Sequence, residues 1–291
     1  MPSIFKTVLL ILLLTGLLPA TGTQFLAVPS SAIELALGGQ VALPNAAGTN
    51  PAVVPEIGAG PQVDFCYGDW FTGVAVSTLN ARFRLNSDVG SVRLRYLGLD
   101  DLPYRDERPS DDPLANYAAY SLALEGGWSR AFGGSRVGVT MRLLQIQLHT
   151  AGASGMAFDL GGTRSVGKNL TIGAALLNLG RMNVMVQEIP QLPLRLLVGA
   201  GYRFDHPLVP TSIGLTGEWS TLVNGPIFRV GSRSTWDRLT VSLGTEIASA
   251  VVMASGGIGL QVGRFGINYG IRFGSQQLGL PQMLDLSVNL P

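Results

Sequence analysis

The sequence predicts an all-β chain: a transmembrane antiparallel β-barrel of about fourteen strands, preceded by a short N-terminal helical plug segment. Three observations predict it. After residue 60, segments of about ten residues recur, each alternating apolar and polar side chains and each bounded by turn residues. Charged residues make up 13% of the 291, about half the ordinary share, and mean hydropathy is +0.32, so there are too few charges to coat a soluble body of this size. No mature segment is an apolar run of about twenty residues, which excludes a helical membrane protein.

Taken in order, residues 1–23 read as a secretory signal. Lys6 precedes the apolar run Val8–Leu18, and Pro19 and small residues follow. That run is too short to span a bilayer. Residues 24–60 form the plug or strap segment. In "SSAIELALGG", Ser30 or Ser31 caps a short helix, Glu34 lies in its first turn, and Gly38-Gly39 end it. Such a helix is too short to be stable alone, so its apolar face must dock, and the lumen of a wide barrel is the natural place. No Lys-Ser or Lys-Thr follows the two glycines, so they are not a phosphate loop.

Residues 61–291 supply the barrel. Strands are predicted at 61–68, 71–84, 88–99, 117–130, 135–149, 153–163 and 169–180. Seven more follow at 193–204, 210–221, 225–235, 237–248, 252–262, 264–274 and 282–290. Twelve strands are the alternative, because 169–180 alternates poorly and Gly256-Gly257 weaken 252–262. In "RFGINYGIRF", Phe265, Ile267, Tyr269, Ile271 and Phe273 share one face, and Gly266, Asn268, Gly270 and Arg272 the other. A soluble sandwich would also alternate. Segment length, aromatics near strand ends (Tyr202, Phe204, Trp219, Trp236, Phe273) and polar faces rich in glycine favour the barrel. Leu177 and Leu179 are read as facing inward.

The turns at 132–135, 166–169 and 234–237 are short, as periplasmic turns are. Gly98–Asn116 is an acidic, proline-marked loop. Asp100, Asp101, Asp106, Glu107, Asp111 and Asp112 could offer oxygens to calcium, but they lack the spacing of a calcium loop and Arg105 and Arg108 stand among them. A solvated charged loop is the reading. Arg181–Pro193 reads as a second loop.

Catalytic patterns are nearly absent. His149 and His206 belong to no zinc pattern, and no Gly-x-Ser-x-Gly elbow occurs. Cys66, the sole cysteine, has no partner for an internal disulfide and reads as a small filler on a strand. A net charge of +1 leaves no basic stripe for nucleic acid. The expectation is a non-enzymatic protein without cofactor or metal.

The order of the motifs resembles a known family. "FLAVPSSAIELALGGQVAL" is followed by "NPAVV", then by "LPYRDE", "FDLGG" and "LLNLG" on a strand-only chain. This is similar to the PorV/PorQ family of outer-membrane proteins, which is related in fold to the FadL long-chain fatty-acid transporters. The matching positions are Ser31, Ala32, Gly38, Gly39, Asn50, Pro51 and Ala52 in the plug, and Pro103, Arg105, Asp106 and Glu107 in the loop. Asp159 and Gly161 match on one strand, Asn178 and Gly180 on another. Ile33 stands where the family has arginine.

The resemblance implies a bacterial outer-membrane protein in contact with lipid. It also implies a part in type IX protein secretion or surface attachment, with secretion-system components or cargo C-terminal domains as partners. The alternative is a FadL-like channel for long-chain fatty acids or other hydrophobic small molecules.

Overall fold

A computed structural model describes residues 23–43, 46, 48–55, 58, 60–105, 112–249, 251–274 and 279–291. Residues 1–22, where a secretory signal is expected, lie outside them, as do Asp106, Glu107 and Asp111.

The described residues form fourteen strands closed into one antiparallel barrel. The first seven are β1 (Gln62–Asp69), β2 (Ala75–Leu85), β3 (Asp88–Tyr104), β4 (Ala115–Phe132), β5 (Ser135–Leu148), β6 (Ala151–Val166) and β7 (Leu170–Met182). The second seven are β8 (Arg195–Phe204), β9 (Thr211–Ser220), β10 (Ile227–Trp236), β11 (Leu239–Ile247), β12 (Val252–Val262), β13 (Phe265–Gly274) and β14 (Gln282–Asn289). Every strand pairs with its sequence neighbours, and β1 closes on β14 from Gln62↔Asn289 to Asp69↔Gln282. Closure leaves no unpaired sheet edge, which a bilayer would not tolerate.

The twelve-strand alternative fails at both doubtful segments. β7 is paired on both sides, and β12 runs unbroken through Gly256-Gly257. The acidic loop begins later than expected, because β3 continues past Gly98 to Tyr104. A bulge between Leu99 and Leu102, with Asp101 at φ 57°, absorbs the extra residues and keeps the pairing with β4.

The strands turn their large apolar side chains outward. Leu243, Ile258, Phe265 and Ile267 are among many exposed apolar residues. Trp219 and Phe273 stand exposed toward one end of the barrel, and Tyr202, Phe204 and Trp236 toward the other. On one strand, 3.3–3.4 Å of rise per residue and a period of two are enough to produce this sidedness. One end carries tight turns, such as Gly133-Gly134 and Asp237-Arg238; the opposite end carries the longer connections, among them 183–194.

The N-terminal segment is inside. It opens with a 3-10 turn (Gln24–Ala27) and continues into helix α1 (Ala32–Leu37). Ser31 Oγ accepts from the Glu34 amide at 3.1 Å, and Gly38 (φ 73°) ends the helix in the left-handed region. The Glu34 carboxylate turns back to accept from Ser30 N and Oγ at 2.8 and 2.9 Å, and from Thr49 Oγ1 at 3.1 Å. Leu35, Ala36, Leu37, Val41 and Leu43 are fully buried, so this strap forms the core of the barrel.

Candidate functional site

The lumen is built in three tiers, and the strap runs through all of them. Its seat on the wall explains much of the glycine content. A Cβ at Gly270, Gly257, Gly244, Gly231, Gly214, Gly201, Gly173, Gly161 or Gly138 would come within 3.0 Å of strap atoms. Those glycines lie on β13, β12, β11, β10, β9, β8, β7, β6 and β5 in turn. Several pair directly across strands: Gly257↔Gly270, Gly231↔Gly244, Gly231↔Gly214, Gly201↔Gly214 and Gly138↔Gly161. Together they form a side-chain-free track in which the strap backbone lies directly on the wall.

Polar side chains of the wall then hold the strap. The Ala32 amide donates to both Asp285 oxygens at 2.9 Å. Ser255 Oγ donates to the Ala36 carbonyl at 2.9 Å, and the Val41 amide donates to Thr216 Oγ1 at 3.1 Å. Arg95 Nη2 donates to the carbonyls of Phe25 and Val28 at 3.3 and 2.7 Å. Asn50 Nδ2 donates to the carbonyls of Val41, Gly162 and Ala174, and its Oδ1 accepts from Ala52 N at 2.9 Å. These bonds satisfy backbone groups that the strap, having little regular structure, cannot satisfy itself.

The middle tier is a belt of alternating charge, one group per strand over much of the wall. Arg95 (β3), Glu125 (β4), Arg142 (β5) and Asp159 (β6) pair in succession. Further round, Arg195 (β8) pairs with Glu218 (β9) at 2.7 Å, Glu218 with Arg229 (β10), and Arg229 with Glu246 (β11) at 2.7 Å. All but Glu246 are buried. Charges can be kept at this depth because each meets its counter-ion on a neighbouring strand.

The sequence motifs meet at the edge of this belt. Asp159 Oδ1 accepts the Asn178 amide at 2.8 Å, and Asn178 Nδ2 donates to the Pro193 carbonyl at 2.8 Å. Arg142 Nη1 donates to Asn178 Oδ1 at 2.5 Å. Gly161 lies under Asn50 and Pro51, and Gly180 packs close against Met156 and Ala157. The plug motif thus meets the strand motifs at Gly161, with Ser31, Ala32, Gly38 and Gly39 elsewhere along the strap. Pro103, at the exposed end of β3, and Arg105 just beyond it, stand apart at the long-loop end.

The tier toward the long loops is apolar. A cavity of about 750 Å³ lies between the start of the strap and the wall. Phe25, Val28, Trp70, Leu97, Ile146 and Met185 are among its lining residues. This inward apolar surface was missed in the sequence, although β5 carries the signal. Arg142, Leu144 and Ile146 all face in and are buried, whereas Gln145 and Gln147 occupy the other face. Leu177 is buried as expected, but Leu179 is 47% exposed. Asn178 at φ 63° and the bulge between Phe158 and Leu160 shift the alternation by one residue there.

Among the described residues no cluster of His, Cys, Asp and Glu could hold a metal ion. His149 sits in the β5–β6 turn against Tyr104 and Tyr117, with ring centroids 5.4 and 5.1 Å away. Cys66 is buried on β1, opposite Asp285.

Neither a protein-family model nor a curated relative matches the chain. Solved structures do. The Pseudomonas putida toluene transporter TodX is 13% identical with a TM-score of 0.65, over 90% of this chain and 99% of that one. The Ralstonia pickettii toluene transporter TbuX is 13% identical with a TM-score of 0.60, over the same shares. The monoaromatic hydrocarbon channel CymD is 8% identical with a TM-score of 0.61, over 89% and 96%. At these identities the likeness establishes a common barrel fold and nothing finer.

Proposed function

We propose that the chain is a non-enzymatic channel of the bacterial outer membrane that binds small hydrophobic molecules at its long-loop end. The apolar cavity of about 750 Å³ carries this reading. Its size falls in the range of small-molecule sites, and its wall is apolar with few polar groups. The barrel's apolar exterior, with exposed aromatics toward both ends, suits contact with outer-membrane lipid. Three barrels of the same fold are described as toluene transporters or a monoaromatic hydrocarbon channel, which supports the same ligand class.

The secretion reading, with cargo domains or secretion components as partners, gains no support from these neighbours. The motif residues behind it act inside the lumen: Asn50 seats the strap on the wall at Gly161, and Asp159 and Asn178 tie β6 to β7 beside it. They therefore report barrel architecture. Pro103, Arg105, Asp106 and Glu107 are assigned no role in hydrocarbon binding.

Toluene is the probe that tests the channel. Ala119 lines the cavity, and Ala119→Trp projects an indole into it. Uptake of labelled toluene by cells carrying the variant is expected to fall to the level of a strain without the protein, with barrel assembly unchanged on heat-modifiable gels. Unchanged uptake by an assembled variant, together with capture of secreted cargo by the native protein, would overturn the reading in favour of secretion.

A further inference from the structure

The short-turn half of the lumen holds a second cavity, of about 380 Å³, to which hydrocarbon binding assigns nothing. Its wall is polar. Cations nearby have carboxylate partners: Arg82 pairs with Asp64, and Arg93 with Glu125 at 3.2 Å. Arg233 departs from that pattern. It follows Arg229 by four residues on the same face of β10, but Arg229 has Glu246 registered opposite on β11. Arg233 has Ser242 there, and Ser212 on the β9 side.

No hydrogen bond or ion pair to a described residue reaches the Arg233 guanidinium, and its Nη1 is buried without a partner. The carboxylates of the cavity are committed elsewhere: Asp64 to Arg82, Asp285 to the Ala32 amide, and Asp237 is at the exposed turn beside Arg238. Gln62 Oε1, Thr78 Oγ1, Asn80 Oδ1, Arg82 Nε and Asn289 Oδ1 are further buried polar atoms without partners, and all belong to residues of this same wall. A wall of that kind suits a polar occupant.

We propose that this cavity is a subsite for a small monocarboxylate, held by the guanidinium fork of Arg233. Arg233 supplies a cation without a counter-ion, and its planar fork matches the two oxygens of a carboxylate. A partly buried guanidinium whose Nη1 has no partner leaves hydrogen bonds unmade, so an anion that completes the pair gains them. Ile33 lines the cavity beside the polar groups and offers apolar surface to the remainder of the ligand. The subsite stands on Arg233 and its neighbours alone and does not depend on hydrocarbon binding at the other end.

The test uses benzoate and its neutral isostere benzamide, titrated calorimetrically into the full chain in detergent. Benzoate binds and benzamide does not. Arg233→Gln weakens benzoate by about thirtyfold or more. Ser242→Asp places a carboxylate opposite Arg233, as Glu246 stands opposite Arg229, and also abolishes binding; it decides the question if Arg233→Gln does not assemble. Arg203→Gln, at an exposed strand end outside the cavity, leaves binding unchanged. Equal binding of benzoate and benzamide, or benzoate binding that survives Ser242→Asp, overturns the proposal. Inorganic phosphate binding as tightly as benzoate overturns the monocarboxylate class.

Discussion

At Asn178 the backbone enters the left-handed region (φ 63°) inside a strand, and the side chain bonds both Arg142 and the Pro193 carbonyl. Asparagine tolerates that conformation better than most L-residues, for which the penalty is about 1–2 kcal/mol. Asn178→Ala is expected to destabilise the barrel by about 3 kcal/mol, from the lost hydrogen bonds and the strained backbone together. Asn178→Gly loses the same bonds but not the conformation, and should be about 1 kcal/mol more stable than the alanine variant, measured by urea unfolding in lipid vesicles. Equal stabilities would show that the backbone is not strained. The sequence marked Asp159 and Asn178 separately, as members of two motifs. Their contact was not legible, because it spans two strands and depends on a bulge that no local pattern announces.

Among elements, the strap shows most clearly what local sequence can reveal. Ser31, Glu34 and Gly38 mark the helix by themselves, and its shortness already demands a surface to dock on. What it docks on was hidden in the glycines. Gly256 and Gly257 look alike in the sequence and were read as one weakness in a strand. In the barrel they differ: a Cβ on Gly256 would meet nothing nearer than the Leu243 side chain at 3.6 Å, while a Cβ on Gly257 would meet Ala36 at 2.7 Å. Gly257→Leu is therefore expected to unseat α1 and cost about 1–3 kcal/mol or more. Gly256→Leu should be close to neutral. Limited proteolysis distinguishes them: only the Gly257 variant should expose Gln24–Pro55 to cleavage, and equal resistance would refute the seat.

For the whole molecule, the decisive feature is two-sidedness. Leu243 is 59% exposed on β11, and its neighbour Ser242 is buried in the lumen. Leu243→Arg puts a charge into the outward apolar band and, if that band meets lipid as proposed, is expected to cost about 2–4 kcal/mol near the bilayer midplane. Folding yield in vesicles, read by heat-modifiable migration, checks it. A variant that folds as well as the native chain would show that this face does not meet lipid.

Alternation with a period of two determined the strands, their facing and the outward apolar band, because each follows from backbone geometry within a single segment. Cap and stop residues determined the helix of the strap for the same reason. The tertiary structure alone decided the glycine track, the belt of paired charges, the two cavities and the isolation of Arg233. Each of these is a relation between strands far apart in the chain, set by register and closure. A residue's own segment carries the direction in which it points but not what it meets there.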